Sequence, residues 1–225
     1  MVQRKVNFLT IPKPAKYINR TGGPSGQVHL GEKTMANSSS TGFGLKPIKK
    51  VGQNYDAGGL GEYPVAASAT AIYNQDMVAM AATGTAAVAA AATTHNLGSL
   101  NGVFYTDATT SKPTFQNYLQ GSNTASDIVA FVNDDPNQIY EIRSDNAGAS
   151  AQTDVGNTAE ISYSAGASPN YISRTTLDDS TLNTTAQQLK IVGVSRDPDN
   201  SDLTSANVVW RVVINEHFFN TDTGV

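Results

Sequence analysis

The sequence predicts an all-β fold: a compact barrel or sandwich of about eight short strands, with long loops and an extended N-terminal arm. Three observations lead there. Short runs of β-branched, aromatic and small apolar residues recur between Gly, Pro, Asn, Asp and Ser clusters. No long amphipathic stretch with a helical period is present. The chain of 225 residues has low charge, at 15%, and takes its polarity mostly from Ser, Thr, Asn and Gln.

Residues 1–50 read as extended chain. Pro12, Pro14, Pro24 and Pro47, with Gly22, Gly23, Gly31, Gly42 and Gly44, keep regular structure from running far. The body begins after Gly58-Gly59. The run Tyr63–Tyr73 is rich in β-formers, Asn74-Gln75-Asp76 is a turn, and Met77–Met80 is the next strand. Thr83-Gly84-Thr85 turns the chain into Ala86–Ala92. Alanine favours helix, but the flanking turn and Thr93-Thr94 leave room for only about two helical turns, so this run is read as a strand of small residues. His95–Tyr105 is a Gly-marked bend leading into a strand. Asp107–Ser126 is a long polar loop anchored by Phe115, Tyr118 and Leu119.

Ile128–Val132 is a continuous apolar run and reads as a buried strand. Asn133-Asp134-Asp135-Pro136-Asn137 is a strong turn, and Gln138–Arg143 follows it, so the two runs are predicted to pair as a hairpin. Glu160–Ser164 is a short strand, and Thr175–Ser180 a polar connection. Gln187–Val194 alternates as a strand, Asp197–Leu203 is loop, and Asn207–Asn215 is the last and strongest strand. The domain reading follows: residues 1–34 as a non-native or disordered extension, 35–58 as an extended arm, and 59–225 as the β-rich body.

Charge is unevenly spread. The first fifty residues hold nine Lys/Arg and one acid, Glu32, while the rest hold six Lys/Arg and eighteen acids. A segment near +8 therefore precedes a body near −12. Part of this asymmetry lies upstream of Met35. Gly31-Glu32-Lys33 back-translates most simply into a purine-rich run just before a Met codon, and Met35-Ala36-Asn37-Ser38 reads as an ordinary start. The native chain is therefore expected to begin at Met35. The basic residues left in the arm are Lys46, Lys49 and Lys50, which is enough for a local anchor and too little for a DNA grip.

The motifs that carry chemistry are missing. There is no Cys, which excludes disulfide and thiolate chemistry. His29, His95 and His217 lack metal-ligand spacing, and His217 reads as a satisfied structural histidine. No P-loop, dinucleotide fingerprint or nucleophile elbow occurs. Asp197, Asp199 and Asp202 faintly resemble a calcium loop, but Asp202 stands where glycine is needed and Val208 where Glu is needed. Asp134-Asp135 reads as turn chemistry and Asp178-Asp179 as a solvated pair. No enzyme, no cofactor, no metal, no membrane span and no direct nucleic-acid contact are expected.

Four segments together resemble a known family: Thr41-Gly-Phe-Gly-Leu-Lys-Pro47, Ile128-Val-Ala-Phe-Val-Asn-Asp-Asp-Pro136, Leu189-Lys-Ile-Val-Gly-Val194, and Val208-Val-Trp-Arg-Val-Val-Ile-Asn-Glu-His217. Their order and spacing, over about residues 36–225, are similar to head decoration or cement proteins of tailed bacteriophages. The resemblance implies a virion protein on the outer capsid surface, assembled in the host cytoplasm. It implies the major capsid protein and further copies of the chain, as a homotrimer, as partners, and no catalysis. Capsid contact is expected from Phe43, Leu45, Lys46, Pro47, Lys49 and Lys50, on an arm whose removal (residues 36–50) leaves the body folded. The alternatives are a tail or head-fibre component, or a host-surface glycan-binding module using Phe115 and Tyr118.

Overall fold

The strand runs fold into two large antiparallel sheets and a small two-stranded one. The structure is a computed structural model and describes residues 37, 41–51, 59–200, 202–221 and 223–225. The expectations placed on residues 1–34 lie outside the described residues. The described strands are β1 (Lys46–Lys50), β2 (Gly61–Pro64), β3 (Met77–Met80), β4 (Ala86–Val88), β5 (Asn96–Thr106) and β6 (Pro113–Gln116). They continue with β7 (Val129–Asn133), β8 (Gln138–Arg143), β9 (Thr158–Ala159), β10 (Ile161–Ser162), β11 (Thr176–Leu177), β12 (Leu189–Val194) and β13 (Val209–Ile214). The described helical segments are short 3-10 turns. The protein is thus an all-β sandwich with more, and shorter, strands than predicted. The additions are β1, in the segment read as an extended arm, and two- to four-residue pieces such as β6 and β11 within segments read as loops or connections.

One sheet has the order β1-β8-β13-β12-β9; a second has six strands, β2-β7-β5-β3-β4, with β6 on β5; β10 and β11 form a third, two-stranded sheet. Alternation decides which side chains enter the space between the two large sheets. In β13, Trp210, Val212 and Ile214 are buried while Val209, Arg211 and Val213 are less so. They join Tyr140, Ile142, Leu189 and Ile191 of the same sheet, and Met77 and Ala79 of β3, in the main core. Val78, between the last two, joins a second core with Leu97, Leu100, Val103 and Val132. Loop residues Val65, Ile72, Leu119, Ala125 and Ile128 complete that second core.

The predicted hairpin of residues 128–143 does not form. β7 lies in the six-stranded sheet and β8 in the five-stranded one, so the Asp134–Pro136 turn carries the chain between sheets. Each strand instead finds a partner on both edges: β7 pairs with β2 and β5, and β8 with β1 and β13. At the crossing, the buried Tyr140 hydroxyl donates to the Asn133 carbonyl at 2.8 Å. Gly98 of β5 lies against the same carbonyl, and a Cβ there would sit 1.7 Å from it. Only glycine permits that approach.

The alanine run forms a strand, β4, only as far as Val88 before it turns. The strand expected over Tyr63–Tyr73 is regular only in its first residues, as the end of β2, with a single bridge further on between Ile72 and Leu119. The loop predicted over 107–126 contains β6.

Candidate binding surface

The segment expected to be a free arm is fastened to the body along the part described. Asn37 Nδ2 donates to the carbonyls of Asp202 and Ala206 at 3.0 and 3.1 Å. Gly44, at φ +73°, turns the chain beneath residues 173–175, and its N–H donates to the Thr175 carbonyl. A Cβ there would lie 2.2 Å from the Gln75 carbonyl oxygen. Leu45 follows at zero exposure in the main core. β1 then pairs antiparallel with β8, and the Val51 N–H donates to the Asn137 carbonyl.

This placement corrects two expectations. Leu45 is a core residue and cannot contact a partner surface. Removing residues 36–50 would strip Leu45 from the core and uncover the edge of β8, so the body would not be left intact. The other predicted contact residues remain accessible to differing degrees. Lys46 and Lys49 are exposed, and Phe43, Pro47 and Lys50 are half-buried. Lys50 Nζ pairs with Asp135 Oδ2 at 2.8 Å, and that contact holds the Asp135 carboxyl below its usual range.

β1 is the outermost strand of its sheet. It carries three lysines, Pro47 and a register shift between Pro47 and Lys49. These are the devices by which natural edge strands discourage indiscriminate strand pairing. Side chains projecting from this edge, rather than its backbone, are therefore the groups available to a partner.

Beside the start of β1 lies a cavity of about 130 Å³ lined by Asn37, Phe43, Lys46, Glu141, Asp197 and Asp199, among others. Glu141 Oε1 accepts from Ser195 Oγ at 2.8 Å and faces Arg211 Nε at 3.4 Å. Asp197 Oδ1 accepts the Asp199 N–H at 3.1 Å. Asp202 accepts from Thr204, so it serves loop geometry rather than a calcium loop. Among the described residues no group of three or more His, Asp or Glu could hold a metal ion.

A second surface lies on the six-stranded sheet. Cross-strand register places Phe104 opposite both Phe115 and Val129. Phe104 is 39% exposed and Phe115 63%, and the Phe115 ring centroid lies 5.9 Å from that of Phe131. Large aromatics grouped this openly on one sheet face mark a contact surface more often than chance exposure. The sequence placed Phe115 in a loop, so this grouping was not visible before the register was known.

Tyr118, the other aromatic expected at a sugar contact, is half-buried. Its ring stacks on Tyr171, at 4.0 Å and 6°, and lies nearly parallel to Tyr73, at 6.2 Å and 4°.

Two buried acids occupy the interior. Asp76 has no exposed surface, accepts the Tyr73 N–H at 2.7 Å, and burial pushes its carboxyl up to about 6. Asp179 is not solvated as expected. It is 4% exposed, accepts from Ser144 Oγ, and burial likewise raises it to about 6. Only its neighbour Asp178 does surface work, capping a 3-10 turn through the Ser180 N–H. Asp134 accepts from the Tyr63 hydroxyl at 2.6 Å. His217 is fully buried, its Nδ1 accepts the Phe219 N–H at 3.2 Å, and burial holds it below its usual range. His217 stands close enough to Asp134 and Asp135 to feel their charge, and the bonds that these groups make hold loops and turns.

Among the described residues no helix is long and apolar enough to cross a membrane. No protein-family model, no curated protein and no solved structure matches the chain.

Proposed function

We propose that this protein is a structural component of a phage virion that binds the outer capsid surface and cements neighbouring capsid subunits. Its partners are the major capsid protein and further copies of itself. The observation that carries the reading is the presence of two unlike contact patches on the two sheets of one body. One is the aromatic face of Phe104, Phe115 and Phe131. The other is the charged edge at β1, where Phe43, Lys46, Pro47, Lys49 and Lys50 stand beside an acidic cavity. A cement must touch two neighbours at once, so it needs two patches on a body stiff enough to transmit load. A stable contact requires on the order of 1,000 Å² of buried surface, and repeated symmetric contacts add avidity. The resemblance of the four segments to head decoration proteins supports the same assignment.

The test is co-sedimentation of the purified chain with expanded, undecorated capsid shells, followed by cryo-EM. Saturable binding with density over the junctions of capsid subunits is expected. Phe104→Ser/Phe115→Ser should lower occupancy by at least about tenfold, as loss of a buried aromatic anchor does. No binding to shells, or density confined to the tail or a head fibre, would overturn the proposal.

A further inference from the structure

We propose that Tyr118 and Tyr171 form an oxidative cross-linking site, where a one-electron oxidant joins the two rings by a carbon–carbon bond and staples two distant loops. The inference stands apart from the proposed shell binding. The chain has no Cys, so a covalent brace between distant segments has to come from other side chains.

Three segments meet at the pair. Ile72 and Leu119 exchange backbone bonds at 3.1 and 2.7 Å, the Asn74 N–H donates to the Tyr171 carbonyl at 3.1 Å, and the Ser173 N–H to the Asn74 carbonyl at 2.8 Å. Asn117 Nδ2 donates to the Asn170 carbonyl at 3.1 Å. Tyr171 itself sits at φ +52°, a conformation that a bulky residue rarely adopts. Its N–H donates to the Ala167 carbonyl at 3.0 Å, so the surrounding bonds hold it there.

The ring that this backbone presents stacks on Tyr118, with centroids 4.0 Å apart and planes 6° apart. The two hydroxyls lie within reach of each other, so the oxygen-bearing ends of both rings point the same way. The carbons beside the hydroxyls, where phenoxyl radicals couple, are thereby brought against one another. Tyr73 is nearly parallel too, but at 6.2 Å from Tyr118 it is out of ring contact. Both members of the pair keep some exposure, which gives a small oxidant access.

The chemistry balances as follows. Each phenol gives one electron to the oxidant and its hydroxyl proton to water. The unpaired electron of each phenoxyl spreads onto the ring carbons beside the oxygen. One such carbon from each ring contributes to the new bond, and the hydrogen on each then moves as a proton to the phenoxyl oxygen, which restores both aromatic rings. The pair loses two electrons and two protons in all. Rings already held in contact make the coupling step unimolecular.

The test irradiates the full chain, at low protein concentration, with tris(bipyridyl)ruthenium(II) and persulfate, which generate a one-electron oxidant. Products are read by dityrosine fluorescence, intact mass and tryptic mapping. The expected product is a monomer lighter by two hydrogens, in which the peptide ending at Arg143, which carries Tyr118, is joined to residues 144–174, which carry Tyr171. Its yield should not change on dilution. Tyr118→Phe and Tyr171→Phe keep a ring in the stack but remove the phenol, and each should lower that yield at least about tenfold. Tyr163→Phe, at a half-buried tyrosine outside the stacked pair, should leave it unchanged. The linked chain should also unfold at higher urea than the parent, because closing a long loop restricts the unfolded chain. Cross-links confined to dimers, a monomer link between other tyrosines, or an equal yield from Tyr171→Phe would overturn the inference. A mapped link with no rise in the urea midpoint would overturn its role as a staple.

Discussion

The two cores of this molecule are built differently. The main core lies between sheets, and strands supply most of both walls: Tyr140, Trp210 and Ile191 on one side, Met77 and Ala79 on the other. The second core has strands on one side only. Its other wall comes from connections, through Val65, Ile72, Leu119, Ala125 and Ile128. A strand wall is held by a ladder of backbone hydrogen bonds on both edges and yields little when an atom is removed. A connection has fewer such bonds and can settle into a gap. The cost of a cavity depends on how far its surroundings can collapse, so the same deletion should cost more in the first core than in the second.

Leu45 and Leu119 make the sharpest trial, since both have zero exposure and one lies in each core. Leu45→Ala should cost about 4–5 kcal/mol and Leu119→Ala about 2–3 kcal/mol, the two ends of the range for buried Leu→Ala. Urea midpoints at unchanged slope measure both. Equal losses would break the comparison. A loss under about 1 kcal/mol at Leu45 would restore the free arm that the sequence suggested.

The next effect is set by pH. Asp76 has no exposed surface and its folded pKa, about 6, stands above its ordinary value of 3.8. Its protonated form is favoured in the fold, so its contribution is complete below about pH 4 and is lost as pH rises through 6. Asp179 acts in the same direction. Asp76→Asn keeps an acceptor for the Tyr73 N–H and removes the titration. The parent should lose on the order of 2–3 kcal/mol relative to this variant between pH 4 and 7. Parallel stability profiles for the two proteins would show that Asp76 stays charged in the fold.

The smallest effect is at the rim. Lys50 and Asp135 form an ion pair at 2.8 Å with partly exposed side chains. Lys50→Met should cost no more than about 1 kcal/mol and lose its effect in high salt. A larger, salt-insensitive loss would mean that the β1 edge is held by more than its ladder and by Leu45.

The strands that alternate cleanly were legible. β12 and β13 lie within the runs 187–194 and 207–215, and β3 is Met77–Met80 as read. The turn at Asp134–Pro136 was legible too, because proline and Asx side chains impose a local reversal. Its consequence was not. A turn fixes where the chain bends, but not which sheet each strand joins, and here β7 and β8 part company. Asp179 was misread because Asp178-Asp179 looks solvated in a polar stretch, and its burial depends on Ser144, which lies 35 residues away. Leu45 was misread for a similar reason. One apolar residue among Gly, Lys and Pro carries no periodic signal, and its burial comes from strands far along the chain.

The sequence by itself determined an all-β protein with short strands, a basic segment at β1 and no cysteine, because alternation, turn chemistry and composition act locally. Tertiary structure alone decided the rest: the crossing of β7 to β8, the docking of Asn37 and residues 41–51, the Phe104–Phe115–Phe131 face and the cavity that joins Asn37 and Phe43 to Asp197 and Asp199. Each depends on register or on contacts between distant segments. Those follow from burying the most apolar surface with every backbone group paired, a condition on the whole chain that no single window contains.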